Sequence, residues 1–293
     1  MYINIIMKVI LVSAGIFQDY LLDNIKNLLL HNNTEITLIT ESAYFDRLID
    51  YPNVELVDSK SLLSEKVLKF HKNSNLDRNF RDGFWHLCSL RLFYVYEYIR
   101  QNNLLNVVHI ENDVLVYENL DNIIDCFKYD KVYAPFDALN RVIPSFIFIP
   151  NHLTFKPIID NYNYNLNDMQ NLAQFDENII EPLPIFINNG YTNKFNKNYN
   201  DFNVIFDAAA MGQYLGGVDK RNDPNDTRGF INETCVIKYN EYNFLWIKNY
   251  GIYSPYIKIN NELIKIINLH IHSKALYDFQ SNYPNEQTFI DIK

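Results

Sequence analysis

Glycine is scarce in this 293-residue chain, with 8 residues against 22 tyrosines and 20 phenylalanines. That scarcity argues against a loop-rich or repeat-built scaffold. Cysteine is scarcer still: Cys88, Cys126 and Cys235 are the only three, and none forms a CxxC pair. An odd, sparse set reads as reduced thiols in a cytoplasmic protein (host cytoplasm for a viral source), and not as a disulfide framework. Positive charge is outnumbered, 26 Lys and Arg against 35 Asp and Glu, for a formal net charge of −9. Nucleic-acid binders need a basic face, so no nucleic-acid partner is expected, although a small phosphorylated ligand needs only a local basic pocket. No apolar run is long enough to cross a bilayer, so no transmembrane segment is expected. The apolar opening resembles a leader, but Asn4 and Lys8 interrupt it and Ser13-Ala14-Gly15 reads better as a strand end.

What is present is apolar and aromatic: 48% hydrophobic and 15% aromatic residues. A substantial core follows. Lys8 to Ser13, Glu35 to Thr40 and Val54 to Val57 read as strands, with an amphipathic helix from Gln18 to His31. This alternation implies parallel βαβ units, with ligands at the carboxyl ends of the strands. A long helix is expected from Asp82 to Arg100, and one strand from Asn106 to Val116 broken by an acidic motif. Further strands are expected at Lys131 to Pro135 and Ser145 to Pro150. Asn161 to Asn203 reads as a loop or an acceptor-side insertion, and Phe206 to Leu215 as a helix stopped by Gly216-Gly217. Beyond lie a polar loop (Asp219 to Arg228), strands near Cys235 to Lys238 and Ile264 to Ile271, and a polar tail. With no repeats and no linker, residues 1–293 are expected to form one domain: 1–117 binding nucleotide, 118–293 holding acceptor and a C-terminal motif.

Four segments carry chemistry. In Val107-Val108-His109-Ile110-Glu111-Asn112-Asp113-Val114-Leu115-Val116, two carboxylates interrupt an apolar run. Burying them needs compensation, which a hard divalent cation supplies while leaving room for phosphate oxygens. In an extended chain Glu111 and Asp113 share one face and Asn112 takes the other. For an isolated acid-x-acid pattern, a solvated strand end is the commoner explanation. Arg91 lies on the apolar face of its helix with Leu87, Cys88, Tyr94 and Tyr98. It needs a partner, either an ion pair with Glu111 or Asp113 or a diphosphate. In Asn268-Leu269-His270-Ile271-His272-Ser273-Lys274, the two histidines are expected on one face, where an imidazole completes a metal shell and Lys274 meets phosphate. In Phe206-Asp207-Ala208-Ala209-Ala210-Met211-Gly212, Asp207 reads equally as a helix N-cap or as a catalytic base.

Taken together, these segments resemble the GT-A glycosyltransferases, and within them a family of predicted cytosolic enzymes from bacteria and large DNA viruses. The resemblance spans roughly residues 8 to 279. It implies an α/β GT-A fold: a Rossmann-like nucleotide-binding sheet with helices on both faces, merged with an acceptor-binding half. It implies donor contacts at Ser13, Ala14, Gly15, Thr40, Glu41, Arg91, Glu111, Asn112 and Lys274. Asp113 would ligate Mn²⁺ or Mg²⁺ together with His270 or His272, both of which stand as candidates. Glu111 takes the place of the first Asp of the family's Asp-x-Asp motif. The implied reaction moves sugar from a nucleotide-sugar, a UDP-sugar in first place, to a glycan or glycoconjugate acceptor with inversion. Asp207 is the expected base and Asp137 the reserve. A sugar-phosphate nucleotidyltransferase is the first alternative, but Ser13 to Asp19 lacks the glycine-rich, basic loop it needs. A non-catalytic nucleotide-sugar or glycan-binding protein of the same fold is the second.

Overall fold

The protein is described by a computed structural model covering residues 6–187, 193–216, 235–237, 242–272 and 274–282. The first strand, β1 (Lys8–Ser13), leads into helix α1 (Tyr20–Leu30), then β2 (Ile36–Thr40) and β3 (Glu55–Asp58). Helices α2 (Glu65–Asn73) and α3 (Phe84–Asn102) precede β4 (Val107–Ile110). β1 pairs in parallel with β2 and β4, and β2 in parallel with β3. Four carboxyl ends therefore emerge on one edge, as the βαβ pattern implies. β5 (Val114–Val116) leaves this sheet, which continues through β6 (Val132–Ala138), β7 (Arg141–Val142) and β8 (Phe146–Ile149). The order is β3-β2-β1-β4-β8-β6-β7, with β8 antiparallel to both β4 and β6.

Alternating side chains separate the core into two layers. Val9, Leu11, Leu38 and Val108 pack on Leu21, Ile25 and Leu28 of α1. Ile10, Val12, Ile39 and Val107 pack on Phe70 of α2 and on Leu90 and Phe93 of α3. The second layer also takes Phe155 and Ile158 of α4 (His152–Asp160). Each such buried side chain contributes roughly 1.5–3 kcal/mol. The mixed α/β sheet with helices on both faces is thus the expected fold class.

Several boundaries differ from the sequence reading. The strand expected over Asn106 to Val116 is two strands in different sheets, separated by a turn at Glu111–Asp113 in which the Val114 amide donates to the Glu111 carbonyl at 3.2 Å. The described residues of the 161–203 stretch (161–187 and 193–203) hold α5 (Asp168–Leu172), β9 (Ile180–Leu183) running parallel to β6, and α6 (Tyr199–Phe202). Phe206 to Leu215 forms turns and no helix, because Ala209 has a left-handed backbone (φ 55°) and the Asp207 carboxylate takes the next amides. Cys235–Ile237 carries no strand; Lys238, Gly217, Ser273 and the 219–228 loop fall outside the described residues. An antiparallel sheet follows, β10 (Asn243–Asn249), β11 (Ile252–Ile259) and β12 (Glu262–Lys265). The strand expected over Ile264 to Ile271 divides between β12 and β13 (Asn268–His270), and β13 pairs antiparallel with β5. Among the described residues no helix is long and apolar enough to cross a membrane.

Candidate metal and donor site

The β5–β13 pairing brings opposite ends of the chain together, with Val114 opposite His270. His270 Nε2 lies 3.3 Å from Asp113 Oδ1 and 3.5 Å from Glu111 Oε2. One ligand atom from each of Glu111, Asp113 and His270 falls within 4.8 Å of the others. Glu111 Oε2 and His270 Nδ1 are buried without a hydrogen-bond partner. Two carboxylates and an imidazole, with unfilled oxygen capacity, fit a divalent cation.

Local contacts hold the motif in this shape. Asn24, fully buried on α1, donates from Nδ2 to the carbonyls of Glu111 and Asn112, both at 3.1 Å. Asn112 turns the opposite way and donates to the Val12 carbonyl at 3.0 Å, locking the turn onto the end of β1. Glu111 and Asp113 thus both approach His270, through a turn and not through the strand alternation expected of an extended chain, while Asn112 is tied into the framework. Arg91 bridges Glu111 Oε1 at 2.5 Å and Asp168 Oδ2 at 2.7 Å. His109 sits beneath with Nδ1 2.9 Å from the Ile10 carbonyl, which places its proton on Nδ1 because a carbonyl only accepts.

Charge separates the histidines. Burial disfavours a charged His270, but the Asp113 and Glu111 carboxylates outweigh it and raise its pKa to about 9. Asp113 is affected in the opposite sense: burial works against its charge, yet His270 holds its pKa down at about 2. His272 goes down to about 3 through burial and the neighbouring His270 charge, with Lys274 and Arg81 adding to it. The two rings are 4.7 Å apart and edge-to-face, but only His270 belongs to the three-residue cluster. The left-handed backbone of His272 (φ 56°) departs from strand geometry just past β13.

The expected donor residues gather at the ends of β1 and β2. Thr40 Oγ1 donates to the Ser13 carbonyl at 2.8 Å, and the Gly15 amide donates to Glu41 Oε1 at 2.9 Å. Gly15 takes φ +86°, which favours glycine; a Cβ there would meet only the tip of the Leu87 side chain on α3, at 2.9 Å. Ser13 Oγ is buried and without a hydrogen-bond partner, and Ala14 packs against the core.

The remaining candidates are more tightly held. Asp207 is fully buried; Oδ1 accepts the amides of Ala210 and Met211 at 2.7 and 2.9 Å, and Oδ2 those of Gly212 and His270 at 2.8 and 3.0 Å. This is the capping chemistry that the sequence suggested, without a helix. Asp137 is equally buried and chelates Arg141, whose Nε lies 2.8 and 2.9 Å from its two oxygens. Lys274 Nζ donates to the carbonyls of Gly212, Gln213 and Leu215 at 3.1, 3.0 and 2.5 Å. Three contributors escaped the sequence reading. Asn24 had a signal, a polar residue on the apolar face of α1. Asp168 lies in the stretch read as an insertion, and Arg81 in the turn before α3.

No protein family matches the sequence, and neither does any curated protein. Solved structures match at low identity. Mouse xyloside xylosyltransferase 1 (apo form) aligns at 6% identity and TM-score 0.40, over 61% of this chain and 86% of that chain. A glycosyltransferase involved in glycosylation of the major capsid of PBCV-1 aligns at 12% and 0.27, over 52% and 66%. A cytidylyltransferase from Leptospira borgpetersenii aligns at 9% and 0.35, over 54% and 65%. Glycosyl- and nucleotidyltransferases both occur among these matches, so they do not choose between the two chemistries.

Proposed function

We propose that the chain is a divalent-metal-dependent glycosyltransferase that moves sugar from a nucleotide-sugar to a hydroxyl of a glycan or glycoconjugate. The observation that carries this reading is the Glu111–Asp113–His270 corner, assembled at the carboxyl edge of a parallel sheet and beside the ends of β1 and β2. Asp113 and His270 hold Mn²⁺ or Mg²⁺, and Glu111 divides its two oxygens between Arg91 and the cluster. When bound, the cation offsets the charge that develops on a diphosphate leaving group. Arg91 keeps Glu111 oriented toward the cluster, and the Ser13–Gly15 and Thr40–Glu41 ends receive the nucleoside. UDP as carrier and inversion as outcome rest on the family resemblance, and a cytoplasmic location on the three free cysteines. Inversion needs a base for the acceptor hydroxyl. The two sequence candidates, Asp207 and Asp137, are both fully buried with both oxygens engaged, by four backbone amides and by Arg141, and would have to give up those contacts to serve.

Nucleotidyl transfer is the competing chemistry. It calls for basic, glycine-rich backbone after β1, whereas the Gly15 amide here meets the Glu41 carboxylate. A thermal-shift and hydrolysis panel of UDP-, GDP- and dTDP-sugars, with Mn²⁺ and with EDTA, tests the proposal. Stabilisation and slow hydrolysis with a UDP-sugar and Mn²⁺ are expected. Binding of none of these donors, or binding indifferent to EDTA, overturns it.

A further inference from the structure

The turn from Asp207 to Leu215 grips β13 directly behind the cluster. The Asp207 carboxylate is saturated by four backbone amides, three from its own turn and the fourth from His270. Its main chain is tied as well: Asn268 Nδ2 and Ser145 Oγ donate to the Asp207 carbonyl at 3.3 and 3.2 Å. Gly212 presses on the same residue from the turn, since a Cβ there would lie 2.6 Å from the His270 carbonyl oxygen and 2.8 Å from its nitrogen. Lys274 closes the grip from the other end by donating to three carbonyls of the turn. On the opposite edge of the strand the next amide, that of Ile271, donates to the Asp113 carbonyl at 3.0 Å. His270 is thus clamped through its backbone between the acidic motif and the Asp207 turn, while its imidazole faces the two carboxylates.

We propose that Asp207 and Gly212 set the position of His270, and through it the affinity of the corner for a divalent cation. Asp207 is then a positioning residue that acts through the His270 amide. The physical reason is the strength and direction of charge-assisted hydrogen bonds from a carboxylate to backbone N–H groups in a buried setting. An asparagine at 207 can accept on one side only, so two of the four amides lose their acceptor. Changes to groups that orient a ligand typically cost about 10–100-fold in metal affinity.

This inference rests on the metal reading above, and one set of titrations separates the two. MnCl₂ is titrated into the full chain with and without UDP, for wild type, Asp207→Asn and Gly212→Ala, with circular dichroism confirming the fold. Wild type is expected to bind Mn²⁺, and both variants to bind it about 10–100-fold more weakly. No Mn²⁺ binding by wild type in either condition overturns the metal reading itself. Wild-type affinity in both folded variants overturns the positioning role alone. An Asp207→Asn protein that keeps wild-type affinity yet loses sugar transfer makes Asp207 the base and also overturns it. Hydrogen exchange on wild type covers the case of variants that do not fold. Mn²⁺ should slow exchange at Ala210, Met211, Gly212 and His270, and unchanged exchange there contradicts the clamp.

Discussion

Asp113 and Asp207 flank the same strand and are stabilised in opposite ways. Asp113 faces side chains, keeps 18% of its own side chain exposed, and has the His270 imidazole 3.3 Å away. Asp207 is fully buried and faces backbone amides on both oxygens. A carboxylate saturated by main-chain donors is part of the framework, because releasing it would orphan those donors. A carboxylate set among side chains, beside a glutamate oxygen without a hydrogen-bond partner, has capacity left for a cation. Residue type alone does not distinguish these situations; the partners do.

The largest test of this contrast is on the side-chain-built corner. Arg91→Met leaves Glu111 and Asp168 without their shared cation, which should cost about 3–5 kcal/mol in urea denaturation. Mn²⁺ should restore part of that loss by supplying positive charge beside Glu111. A variant as stable as wild type would show that Arg91 is not what balances the corner.

Acid titration gives a second, smaller effect from a residue outside both regions. Burial lowers the pKa of His31 to about 4, so its folded state favours the neutral ring. Below the unfolded value of about 6.5 the unfolded chain gains a proton that the folded one refuses. Stability therefore falls as pH drops from 6.5 to 4, at roughly 1.4 kcal/mol per pH unit for each such group. Asp113, held at about 2, contributes its loss only at lower pH. His31→Gln should flatten the upper part of the acid limb, and an unchanged limb in a pH series of urea midpoints would refute the assignment. The smallest change is Asn24→Ala, which removes the donor to two motif carbonyls and should cost about 1–2 kcal/mol. Mn²⁺ affinity should weaken with it; undiminished affinity would mean that the turn holds its shape unaided.

The part of the molecule legible in sequence is the part where local pattern and burial agree. β1 matches its expected span, and β2, β3 and α3 lie within a few residues of theirs, because continuous apolar runs and helical periodicity leave few alternatives. The corner was legible as chemistry: buried acids and a late His motif need each other whatever the path between them. The Ala208–Ala210 run was misleading because tertiary bonds override helix propensity; Asp207 takes the amides and Ala209 turns left-handed. The β10–β11 and β11–β12 hairpins carry a local signal at Tyr250-Gly251 and Asn260-Asn261. These residues all take positive φ, the signature of two-residue hairpin turns. Asp168 had none, since nothing local marks a single aspartate as the partner of an arginine 77 positions away.

The most direct test is calorimetric titration of a UDP-sugar into wild type and Asp113→Ala, each with Mn²⁺ and with EDTA. Binding by wild type with Mn²⁺ alone, and none by Asp113→Ala in either condition, is the predicted result. Equal binding by the two proteins, or wild-type binding that survives EDTA, would contradict the assignment of Asp113 as the metal ligand of a nucleotide-sugar site.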